Sequence, residues 1–118
     1  MGIQKWSDSI TVVELSDDPQ FTDDVNAVLE DLEAHPADVV VNFAGVGFVN
    51  SSNVALLLRL RKKMLLLDRR LVLSDVTSQV WGVFEVTGLD KVFEFTKDVS
   101  TALAIAQLTG GSLDEDDE

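Results

Sequence analysis

Two adjacent serines, Ser51 and Ser52, open a helix-forming stretch in AGVGFVNSSNVALLLRLRKKM. A hydroxyl at a helix start has two uses. As a cap, its oxygen accepts from the unpaired amides of the first turn. As a phosphate acceptor, it places an added charge of about -2 at the positive end of the helix dipole, where exposed amides tolerate an anion. Both uses are open to Ser51, and Asn50 competes for the cap. Other candidate chemistry is sparse. His35 is the single histidine, so neither a zinc-binding pair nor a Ser-His-Asp set can be assembled around it. Placed at a helix end, it reads as a surface residue. AGVGFV lacks the Gly-Lys-Ser/Thr ending of a phosphate-binding loop. Without cysteine there is no thiol nucleophile, thiolate site or disulfide. The acidic ending LDEDDE has no calcium-loop pattern. We expect no catalysis, no cofactor and no metal.

Length and charge narrow the class. The 118 residues suit one domain with one hydrophobic core, and 46% apolar with 25% charged residues is ordinary globular composition. No apolar run reaches the ~20 residues of a bilayer span, and no secretion signal is visible. Together with the absence of thiols, this leads us to expect a cytoplasmic protein with no membrane insertion. A net charge of -12 makes nucleic acid a poor partner. The sign is uneven, however: Arg59, Arg61, Lys62, Lys63, Arg69 and Arg70 crowd into one short stretch.

The elements that must position the serines follow from periodicity. The first fifteen residues, including ITVVEL, predict two short strands. Thr22 is expected to cap a helix with Val25, Val28, Leu29 and Leu32 on its inner stripe, ended by His35-Pro36. The run Asp38 to Phe43 reads as a central strand covered on both faces. Gly45 and Gly47 suggest a flexible loop leading to the serines. In the following helix Leu57, Leu60, Met64 and Leu67 share a face opposite Arg59, Lys62 and Lys63. Val54, Leu58 and Leu65 lie between, with Arg61, so the helix is apolar over more of its circumference than one core contact needs. A strand at 71–73 follows. A helix capped by Thr77 or Ser78 comes next, with Val80, Val83, Phe84 and Trp81 inward, and stops at Gly88. A strand at 92–95 and a closing helix from Asp98, with Leu103, Ala106 and Leu108 inward, complete the domain at residues 1–108. Residues 109–118 are expected to form a disordered acidic tail. Alternating strands and helices predict an α/β fold with a four- to five-stranded mixed sheet and about four helices.

In this order and spacing, three segments resemble the STAS domain of bacterial anti-sigma factor antagonists. They are VVVNFAGVGFVNSSNVALLLRLRKKM, LVLSDVTSQVWGVFEVTGLDKVFEF and DVSTALAIA, and the resemblance runs from about residue 3 to residue 108. It implies the SpoIIAA-like fold. It also implies that Ser51, with Ser52 the second choice, is the phosphoacceptor of an anti-sigma serine kinase of the GHKL ATPase type. In that family the unphosphorylated protein binds the kinase and the phosphorylated one lets go. Asn50 stands where the family usually has Asp, and Asn53 where it usually has Gly, which puts extra bulk where a partner would approach. Leu15-Ser16-Asp17-Asp18 replaces an early Gly-x-Leu/Ile-Asp turn.

The expected partner surface combines the loop residues Val46 and Phe48 with Asn50, Ser51, Val54, Leu58 and Arg61. Two other readings use the same fold without a switch: an accessory subunit of a membrane lipid-transport system, and a signalling scaffold. The sequence leaves the oligomeric state open between monomer and weak dimer.

Overall fold

β-Branched residues with a period of two build the sheet, and the period sorts them onto its two sides. The computed structural model describes residues 2–111, with side-chain surroundings through residue 108. The strands are β1 (Ile3–Lys5), β2 (Ile10–Ser16), β3 (Asp38–Gly45), β4 (Leu71–Ser74) and β5 (Glu94–Thr96). They form one sheet in the order β1-β2-β3-β4-β5, with β1 antiparallel to β2 and the rest parallel. The register pairs Val13 with Val41 and Leu73 with Val41, while Val12 and Val72 flank Val40. Odd-numbered Val13, Val39, Val41, Phe43 and Leu73 therefore enter one core, and even-numbered Ile10, Val12, Val40 and Val72 the other.

The helices are α1 (Gln20–Ala34), α2 (Ser51–Leu67), α3 (Ser78–Thr87) and α4 (Val99–Gly111). α1, α2 and α3 cover the odd face, through Phe21, Val25, Val28, Leu32, Leu57, Leu60, Met64, Val80 and Phe84. The edge-to-face stack of Phe21, Phe43 and Phe84 runs through this core. α4 covers the even face with Ala102 and Ala106. The five-stranded mixed sheet and four helices match the expected α/β architecture.

Several local expectations change. α1 starts two residues before Thr22, and Thr22 is not its cap. Asp18 takes that role, its Oδ1 accepting from the Thr22 amide at 3.0 Å and hydroxyl at 2.7 Å. Thr77 caps α3, accepting from the Val80 amide. Gly88 ends α3 in the left-handed conformation, φ 77°. The chain then spends Leu89–Lys91 on a 3-10 turn, so the last strand begins at Glu94 rather than at Val92. Leu108 is exposed rather than inward; on the thin side of the sheet the small Ala102 and Ala106 make the contact. Gly111 ends α4, and the rest of the expected acidic tail lies outside the described residues.

Candidate functional site

The parallel strands end at one rim of the sheet, where the β2–α1 loop meets the β3–α2 loop. Gly45 makes that approach possible, since a Cβ there would sit 3.0 Å from the Leu15 carbonyl oxygen. The loop that follows is pinned rather than free. Asp17 accepts from the backbone amides of Gly47 at 2.9 Å and Phe48 at 3.3 Å. The Val46 carbonyl accepts from the Thr77 hydroxyl at 3.4 Å.

Asn50 caps α2. Its side-chain oxygen accepts from the Asn53 amide at 2.8 Å, and the Asn53 side-chain oxygen accepts from the Asn50 amide at 3.0 Å. This is a capping box made from two asparagines. The second face of Asn53 is used as well, because its Nδ2 donates to Asp18 Oδ2 at 3.0 Å. Asp18 thus joins the starts of α1 and α2 through one carboxylate. The hydrogen bond from Asn53, and then those from Thr22, hold that carboxyl below its ordinary range.

With the cap taken, Ser51 is the first helical residue and is exposed, as is Ser52. Among the described residues the Ser51 hydroxyl has no hydrogen-bond partner, and neither do the Ser51 and Ser52 amides. The bland role left open for Ser51, that of a cap, is filled by its neighbour. A hydroxyl in this position, backed by two free amides and a helix dipole, can accept a phosphoryl group without loss of the cap.

The expected partner surface is partly assembled. Phe48 stands out from the loop, 67% exposed. Val54 and Arg61 are half-buried and Leu58 is exposed, and the spacing of four and three sets them on one flank of α2. Val46 does not belong there. It is 1% exposed and sits in the main core, because the loop turns it under while turning Phe48 out. Asn53 is likewise 1% exposed. Its bulk points into the domain, toward Asp18, and adds nothing to the surface a partner would meet. Asp17 and Asp18 entered the sequence reading only as part of a segment replacing a turn, yet they fix the loop and both helix starts. Asp followed by Pro before an apolar-periodic run was the available signal of a cap.

Among the described residues no group of three or more His, Asp or Glu is placed to hold a metal, and no helix is long and apolar enough to cross a membrane. The sequence model of the STAS domain family matches residues 8–102. No curated protein sequence matches the chain. The fold is similar to a putative anti-sigma factor antagonist from Thermotoga maritima, with a TM-score of 0.77 and 12% identity over 89% of this chain and 92% of that one. It is also similar to an anti-sigma-factor antagonist (STAS) domain protein from Planctomyces limnophilus, with TM-score 0.75, 22% identity, and coverage of 89% and 97%. The unphosphorylated anti-sigma factor antagonist SpoIIAA gives TM-score 0.73 and 19% identity, with coverage of 92% and 95%. The phosphorylated form of Bacillus SpoIIAA gives 0.67 and 16%, with coverage of 87% and 96%. At these identities the likeness is one of fold.

Proposed function

Because the chain belongs to the STAS domain family, we propose that it is a partner-switching regulator of the anti-sigma factor antagonist kind. A serine kinase of the GHKL ATPase type binds it, and phosphorylation of Ser51 releases it. The observation that carries this reading is the exposed Ser51 hydroxyl, relieved of capping by Asn50. SpoIIAA, of the same fold, exists in unphosphorylated and phosphorylated forms, which supports it.

The physical argument separates the folded state from the complex. In the free domain a phosphate at Ser51 meets two unpaired amides and the positive end of α2, so the fold accepts it. A partner closed over a neutral hydroxyl would meet a desolvated charge without a counter-ion, at a cost of several kcal/mol. About 2.7 kcal/mol already weakens binding roughly a hundredfold. Phe48, Val54, Leu58 and Arg61 supply the docking surface around the hydroxyl. Phosphoryl transfer belongs to the partner's ATP site; this chain contributes the acceptor. Ser52 points about 100° further around the helix and is the lesser site.

Intact mass after incubation with the cognate kinase and ATP tests the reading, on wild type, Ser51→Ala and Ser52→Ala. One phosphate on wild type and Ser52→Ala, and none on Ser51→Ala, is the expected result. A phosphate lost only in Ser52→Ala moves the site by one residue. No phosphate on any of the three overturns the switch.

A further inference from the structure

The outward face of α1 and α2, remote from Ser51, carries unpaired charge of both signs beside exposed leucine. α2 turns Leu57, Leu60 and Met64 inward, and opposite them Arg59, Lys62 and Leu66 face outward. Leu66 is 74% exposed, a large apolar side chain at a position the core does not use. Most cations of this acidic chain have an acid within reach: Lys5 has Asp31, Lys63 has Glu33, Arg69 has Asp38, Arg70 has Glu94 and Lys91 has Asp90. Among the described residues Arg59 and Lys62 have none, as Arg61 and Lys97 elsewhere on the surface have none, and on the neighbouring helix Glu30 has none. Glu30, Arg59, Lys62, Leu29 and Leu66 line one open groove of about 460 Å³ between the two helices.

We propose that this face is where two copies of the chain meet in a two-fold dimer. α1 and α2 each link parallel strands on the same side of the sheet, so they run side by side in the same direction. A two-fold axis along the groove lays α1 of one copy on α2 of the other, and the reverse, in a self-complementary contact. Such an axis preserves height along the helices. Glu30 therefore meets Arg59 and Lys62 of the second copy, the cations already at its level in its own. The same rotation brings the two Leu66 side chains and the two Leu29 side chains into one apolar seam. A uniformly acidic partner would satisfy the cations but would set its charge against Glu30 and Glu33. A second copy satisfies both signs. α2 is about 26 Å long, and two helices are about 20 Å wide, so the contact lies at the small end of specific interfaces and the dimer is weak. Leu66 lies fifteen residues, roughly 22 Å of helix, from Ser51, which leaves the switch surface open in the dimer.

Sedimentation velocity from about 1 μM to about 1 mM, a range that covers weak association, tests this on the full chain. Wild type is expected to shift from one to two chain masses across the series. Leu66→Asp, at an exposed position, should weaken the dimer at least tenfold with an unchanged melting temperature. Lys62→Glu and Glu30→Lys should each weaken it, and the two together should recover part of the loss, since Arg59 still faces position 30. A wild type that stays monomeric throughout overturns the proposal, as does a charge exchange that fails to rescue. Kinase-dependent phosphorylation of Leu66→Asp should match wild type, so loss of the dimer and loss of the Ser51 switch are read separately.

Discussion

Asn50 and Asn53 hold each other at the head of α2: each side-chain oxygen accepts from the other's backbone amide, at 2.8 and 3.0 Å. Asn53 then reaches across to Asp18, thirty-five positions earlier, and closes the rim that presents Ser51.

Asn53→Gly, the residue usual in the family, should therefore destabilise this protein. It removes one half of the capping box and the tie to Asp18, and it puts glycine inside a helix. Those losses sum to about 2 kcal/mol, or a fall in melting temperature of roughly 10 °C for a domain of this size. Thermal denaturation by circular dichroism measures it; an unchanged transition would show that the Asp18–Asn53 bond carries no stability.

Val46 and Phe48, two positions apart in one loop, should respond in opposite ways to the same charge. Val46→Asp buries an unpaired carboxylate in the main core, which costs several kcal/mol and should unfold a domain of ordinary stability. Phe48→Asp changes stability by about 0.5 kcal/mol or less, as exposed substitutions do. It should abolish binding of the proposed partner kinase, read by isothermal titration calorimetry. Tight binding by folded Phe48→Asp would remove the loop from the partner surface.

Acid should loosen the rim through Asp18. Its carboxyl is depressed in the folded state, by Asn53 first and Thr22 next. A depressed folded value means that the contribution is present above the unfolded pKa, roughly pH 4. It is lost as pH falls through the folded value. Asp31, held down chiefly by Lys5, and Asp98, held down by the Thr101 amide, act in the same direction. Urea midpoints between about pH 2.5 and 5 should fall with acid, and Asp18→Asn should flatten that fall. An equally steep dependence in the variant would assign the acid sensitivity to the other carboxylates.

The sheet was legible because its two cores follow the period of two, from Ile10 through Leu73, and the inner stripe of α2 because Leu57, Leu60 and Met64 follow the helical repeat. Thr77 and Gly88 were legible because a cap and a left-handed stop each favour few residue types. Residues outside any repeat were harder. Val46 lies in a loop, where alternation gives no side, and a hydrophobic residue beside a candidate site reads equally as core or surface. Asn53 was misread because a cap points a side chain back toward the helix start, away from the face its helical position would give it. Asp17 serves amides thirty residues away, a relation that no local window contains. Leu108 was placed inward by spacing alone, while the thin side of the sheet needed only alanine.

α4 covers one whole side of the sheet, and it does so through Ala102 and Ala106, with Val99, Leu103 and Ile105 packed around them. Alanine lets a helix lie close but buries few carbons, so this layer should be less costly to lift than the helices on the other side. Its amides should exchange with deuterium ahead of those in β3, which open only when the whole domain does. Lifting α4 bares Ile10, Val12, Val40 and Val72 on three adjacent strands, a β-branched strip ready to pair with another molecule's. Aggregation of the purified protein is therefore expected to follow the opening of the closing helix, on the side of the sheet away from Ser51.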